Sequence, residues 1–164
     1  MGANNLDIIR WLDKNIEKVL LCIFLGVMVV VMSVQVVARY VFNSSLSWSE
    51  ELTRYLFIWS AFLSLPFTIR YGIALKIDQF LTLLSKNAKR IVNIIGHILM
   101  LVFFIFMLLQ SLDVVQSAIN SGQKSPALGL PMYIVQVSST VGFTLAIIRT
   151  VQSLINYFKN VQEA

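Results

Sequence analysis

The chain has 164 residues, of which 57% are hydrophobic and only 13% charged. A soluble domain averages roughly 45–50% apolar and about 25% charged, so the composition points away from one. The net charge of +5 does not call for a nucleic-acid partner, because basic residues beside apolar runs set membrane orientation and meet anionic head groups. The single cysteine, Cys22, sits inside an apolar run. It excludes an internal disulfide and any redox chemistry that needs paired cysteines, and reads as a small lipid-facing or packed residue.

In chain order, the first segment mixes Asp7, Asp13 and Glu17 with Arg10, Lys14 and Lys18, unlike the leader of a cleaved secretory signal. Ile9, Leu12, Ile16 and Val19 fall at helical spacing. Residues 6–18 are therefore expected either to lie flat at the membrane surface or to extend the first span. That span runs over 19–37 and carries no charge. The second covers 52–69, with Arg54 near its start and Pro66 inside, where proline frees a carbonyl and favours a kink. Between it and the next, Ile73, Ile77, Phe80, Leu81 and Leu84 form a stripe opposite Lys76, Gln79 and Ser85, which predicts an interfacial helix over 73–85. The third span, 91–112, holds His97 and Gln110. Pro131 opens the fourth, 131–150, which contains Gln136 and Ser138-Ser139-Thr140 and closes on Arg149.

Each run approaches the roughly 20 apolar residues that cross a bilayer. Only helices and closed barrels satisfy every backbone group in lipid, and continuous rather than alternating apolarity favours helices. The expected fold is a single all-α integral membrane domain over 1–164, with four transmembrane helices and additional interfacial ones. Ten of the thirteen Lys and Arg residues fall on one side: Arg10, Lys14, Lys18, Arg70, Lys76, Lys86, Lys89, Arg90, Arg149 and Lys159. By the positive-inside rule both termini and the middle connection are cytoplasmic.

The most informative stretch is Arg39 to Arg54. Ser47 with Glu50 fits a capping box, and Glu50 and Glu51 stand where the helix dipole favours negative charge. Arg54, four residues after Glu50 and three after Glu51, is placed to pair with either, and Arg39 is a further partner. Trp48 is placed as an interfacial anchor. Two adjacent carboxylates point about 100° apart with arginines nearby, so a capped, ion-paired helix entrance is favoured over a cation or acid–base site. His97 has no second ligand at metal spacing and is expected to be packed or hydrogen-bonded. Gly26, Gly96 and Gly142 permit close helix approach without forming a Gly-xxx-Gly pair.

No acidic residue lies inside the four expected spans, and no matched broken helices are visible. A cation-driven carrier usually shows one or the other. No nucleophile, base, metal or cofactor constellation can be assembled, so no catalytic residue and no cofactor is expected. The chain is expected to work by packing against another membrane protein, with membrane lipids around it. The alternative is a self-sufficient homo-oligomeric transporter or channel.

Gln35-Val-Val-Ala-Arg39, then Trp48-Ser-Glu-Glu51, then Arg54 resemble the small, DctQ-like membrane subunit of tripartite ATP-independent periplasmic (TRAP) transporters. Arg70, Gly72 and Asp78 in the middle connection and Pro126-Ala-Leu-Gly-Leu-Pro131 before the fourth span support it. Ala74 stands where the family often has a histidine, which puts in doubt an essential histidine there. The resemblance implies a hetero-complex in the bacterial inner membrane. A large multi-span permease subunit would carry the sodium and substrate sites and move as an elevator. A soluble periplasmic substrate-binding protein would deliver an organic acid, of the sialic acid or C4-dicarboxylate class. The small subunit would brace the permease and help dock the binding protein, with Arg70, Lys76, Asp78, Pro126 and Pro131 as candidate partner or lipid contacts.

Overall fold

A computed structural model describes the backbone of residues 2–71 and 86–162, and the side chains of 15–71 and 88–159. Four helices make up almost all of it: α1 (Gly2–Val41), α2 (Ser47–Arg70), α3 (Lys86–Ser121) and α4 (Tyr133–Gln162). Within them, Asn15–Val41, Ser47–Arg70, Ala88–Ser121 and Tyr133–Lys159 are each long and apolar enough to cross a membrane. The only β pairing among the described residues is an isolated bridge between Lys124 and Pro131.

The helices outrun the apolar stretches because nothing in the flanks breaks them. Residues 6–18 continue into the first span as one unbroken helix. The predicted interfacial segment 73–85 lies outside the described residues. α3 passes the end of its apolar run at Leu112 and stops only at Gly122, whose φ of +60° is the left-handed conformation that glycine adopts freely and whose N–H bonds the Ile119 carbonyl at 3.2 Å.

α2 and α4 are the inner members of the assembly. α2 packs on α1 at one side and on α4 at the other, and α3 packs on α4, so the helices form an open row in the order α1, α2, α4, α3. α2 and α4 run parallel: Glu51 near the start of α2 meets residues just ahead of α4, while Arg70 at the end of α2 and Arg149 of α4 reach one carboxylate. α1 and α3, at the edges, are the least covered, with 6% and 11% of their apolar windows buried against 39% for α4.

The core lies where α2, α3 and α4 meet. Ile69, Phe104, Phe143 and Ala146 are buried there, with Phe62, Leu65, Met107 and Leu108 packed against them. Phe62 and Phe143 meet edge to face at 5.5 Å, the arrangement that the ring quadrupole favours. A close helix approach falls beside it. Pro66 lacks the N–H that would bond the Phe62 carbonyl four residues back, and α4 comes up against that carbonyl at Gly142. A Cβ on Gly142 would stand 2.7 Å from the Phe62 Cβ and 2.8 Å from its oxygen. The proline thus opens a patch of α2 backbone that only a glycine can cover. Hydroxyls finish the packing: Ser111 of α3 and Thr140 of α4 pair at 3.1 Å, and Ser139 and Thr150 bond back to their own helix.

Gly26 has open space where a Cβ would go. Gly142→Ala should therefore lower the thermal unfolding midpoint in detergent by several degrees, reflecting overpacking of about 1–3 kcal/mol, while Gly26→Ala should leave it unchanged. Tryptophan fluorescence during heating reads both.

Candidate functional site

The polar groups of the bundle gather at its two ends. At the first, α1 returns into α2 through residues 42–46, and Asn43 takes a positive φ of 47° in that turn. The capping box expected of Ser47 and Glu50 does not form. The N-cap is Leu46, and no side chain of its own caps the helix. Gln35 of α1, one turn before Arg39, caps it from the neighbouring helix: its amide oxygen accepts the Leu46 N–H at 3.0 Å and the Ser49 hydroxyl at 2.8 Å. Its NH₂ donates to Ser45 at 3.3 Å and to Glu50 at 3.5 Å. With its carboxylate turned to α1, Glu50 pairs with Arg39 at 3.0 Å in a half-exposed bridge. Arg54 pairs with neither glutamate and with no other described residue; Glu50 is held by α1 and Glu51 points the other way.

Glu51 is buried and turned toward α4. One carboxylate oxygen accepts the N–H groups of Ala127 and Leu128 at 2.8 and 2.9 Å, and the other accepts the Tyr55 hydroxyl. Those two N–H groups belong to the small hairpin ahead of α4. Ser125 N–H reaches Leu130 O at 2.8 Å, its hydroxyl accepts Leu130 N–H at 3.1 Å, and Gly129 turns the corner at φ +67°. Glu51 therefore acts as an internal anion holding the connection between α3 and α4. Pro126 and Pro131 lie in this hairpin, and Trp48 is 40% exposed on the first turn of α2.

At the other end Glu17 of α1 is buried at 3% exposure. Arg149 of α4 holds it at 2.7 Å and Arg70 of α2 reaches it at 3.8 Å, so one carboxylate ties three helices. Arg149 also bonds Gln152 at 2.8 Å. Beside this clamp a cavity of about 620 Å³ is lined by Arg70, His97, Arg149, Gln152, Asn156 and Tyr157 among others. His97 is buried, with Nδ1 at 2.8 Å from the Asn93 carbonyl and Nε2 at 3.1 Å from the Ser153 hydroxyl. Lys76 and Asp78 lie outside the described residues.

Four residues that hold this architecture stand outside the ion-pair and capping cluster read from the sequence: Gln35, Glu17, Tyr55 and Ser125. Gln35 left a signal, since it is polar within an apolar run and four residues before Arg39 on the same helix face. Glu17 left none, because its partner lies 132 residues away.

The chain is thus a multi-pass membrane protein whose charges, gathered toward the two ends of the bundle, hold helix to helix. The family model for the DctQ component of tripartite ATP-independent periplasmic transporters matches residues 28–160, and the chain belongs to that family, a membrane component of a transporter and not an enzyme. The isethionate TRAP transporter permease protein DctMQ of Oleidesulfovibrio alaskensis is 31% identical over 153 residues, covering 90% of this chain and 24% of that protein. This chain therefore spans about a quarter of that relative's length. The ectoine TRAP transporter small permease protein TeaB of Halomonas elongata is 24% identical over 156 residues, 95% of this chain and 79% of its own. A C4-dicarboxylate TRAP transporter small permease protein of Pseudomonas aeruginosa is 27% identical over 120 residues, 71% of this chain and 57% of its own.

The two glutamate–arginine bridges should differ in weight. Removing one partner of a buried pair costs about 3–5 kcal/mol, and an exposed pair is worth about 0–1 kcal/mol. Glu17→Ala should strongly lower detergent stability and Glu50→Ala only slightly. The double variant Glu17→Met with Arg149→Met should recover part of the loss, as a thermal melt of all four proteins would show.

Proposed function

We propose that the chain is the small scaffold subunit of a sodium-coupled TRAP transporter, bracing a large elevator-type permease subunit. In this reading it sits in a bacterial inner membrane with both termini cytoplasmic. The Gln35–Glu51 end then faces the periplasm, beside the substrate-binding protein that it helps to dock. The cargo is an organic acid of the C4-dicarboxylate or sialic acid class, recognised on other subunits. Trp48 anchors the outer interface, and segments 6–18 and 73–85 lie at the inner one, where Arg70, Lys76 and Asp78 meet lipid or partner. Pro126 and Pro131 do so at the outer face.

The observation that carries the reading is where the described glutamates are spent. Glu17, Glu50 and Glu51 are all engaged in holding helix to helix or helix to loop, and the described aspartate, Asp113, is exposed on α3 past the apolar run. A coupling site needs ionisable groups free to exchange ligands at depth. The relatives support the same division of labour, since proteins named for isethionate, ectoine and C4-dicarboxylate resemble this chain to a similar degree. Resemblance that does not follow the cargo fits a subunit that does not choose it. The DctMQ relative, roughly four times the matched length, fits a segment of this kind working joined to a larger permease.

The tagged chain should copurify with a large multi-span permease. Alone in detergent it should bind neither sodium nor organic acid by calorimetry. Uptake by liposomes holding this chain alone would establish the self-sufficient alternative instead. Orientation is read separately in a Cys22→Ser background: an impermeant maleimide added outside should label Ser44→Cys but spare Lys159→Cys until the membrane is opened.

A further inference from the structure

Arg54 is the one charge of the α2 entrance that the bundle leaves over. It is exposed, and it makes no ion pair or hydrogen bond with a described residue. Both carboxylates within helical reach are engaged, Glu50 by Arg39 and Gln35, Glu51 by Tyr55 and two backbone N–H groups. Arg54 nonetheless stands seven residues, roughly 10 Å, into a helix apolar enough to cross a membrane. A cation there needs an opposite charge or an aqueous surface. Its surroundings are a cleft of about 490 Å³ between α2 and the hairpin ahead of α4, reaching from Ser47 to Val135.

The same helix face continues below the charge. Phe57, 63% exposed, and the exposed Ala61 follow at three and seven residues from Arg54, the spacing that lines one face of a helix. The face lies between the Glu50 side, which meets α1, and the Glu51 side, which meets the hairpin. Ser60 and Ser64 turn their hydroxyls to their own helix at 2.9 and 2.6 Å, leaving those donors satisfied. A cation, a large ring and a small residue in register suit a helix bearing a carboxylate and a side-chain ridge, since small residues let backbones approach in lipid.

We propose that this stripe is the docking line for a transmembrane helix of the large permease partner, with a carboxylate of that helix paired to Arg54. The inference rests on the scaffold reading above. The test uses the tagged full chain in the organism that carries it, with a photoreactive benzophenone side chain at position 57, 61 or, on the edge helix α3, 105. Illumination should yield an adduct from 57 and 61 that mass spectrometry identifies as a multi-span permease. Arg54→Glu and Ala61→Leu should each lower recovery of that permease at least tenfold, while Arg54→Lys keeps most of it. Ala61→Leu should leave the chain's own thermal midpoint in place, which separates lost docking from lost folding. Permease adducts from 105 alone, or phospholipid adducts alone from 57 and 61 in an intact complex, would overturn the docking line and leave the scaffold reading standing. Failure of the unaltered chain to bring down any large permease would overturn both.

Discussion

The parallel contact of α2 with α4 is what the remainder of the bundle hangs on. Parallel neighbours cannot be joined by a short turn, so nothing in the covalent chain holds these two helices side by side; α3 intervenes between them in sequence. The contact is fixed at three heights. Glu51 grips the hairpin that leads into α4, Gly142 closes on the Phe62 carbonyl at mid-depth, and Glu17 gathers Arg70 and Arg149 at the far end. α1 then attaches to the outside of α2 and α3 to the outside of α4.

Lipid dictates the means. Between helices in hydrocarbon there is little hydrophobic force, because side chain and solvent are equally apolar; close packing and polar contacts must do the holding. That accounts for a core of a few aromatic rings, one glycine and several serine and threonine hydroxyls. The charges follow the same logic. Each described glutamate is placed near one end of an apolar stretch and given cationic or N–H donors, since an unpaired carboxylate in an apolar setting costs far more than a paired one.

An open row has a mechanical consequence. A closed ring of four helices would hide its inner faces and present lipid with one uniform outer surface. Here both edge helices and one face of α2 remain uncovered, giving a broad slab rather than a compact rod. A slab clamped at both ends leaves broad helix faces open to lipid or to a further membrane protein. The family to which the chain belongs, a membrane component of a multi-part transporter, accords with that shape.

The sequence by itself determined the four helices and the membrane as their solvent, because hydrocarbon forbids unpaired backbone and charge, and that constraint is written locally in every run of twenty residues. It also offered Arg39 as a partner for the Glu50 and Glu51 pair, and set both glutamates at the start of a helix. Where it failed, the partner was remote. Ser47 has the pattern of a cap, but the tertiary fold supplies Gln35 from α1 in its place. Arg54 has helical spacing to two glutamates, yet both are taken by groups that the chain brings from elsewhere, 11 residues upstream for Glu50 and 76 downstream for Glu51. Glu17 looked like one charge among several in the mixed segment ahead of the first span, and became a three-helix clamp only when α2 and α4 came to lie parallel. A local pattern states which groups need a partner. Only the packing of distant helices decides which partner arrives first, because a buried charge takes the donor that the fold holds fixed beside it.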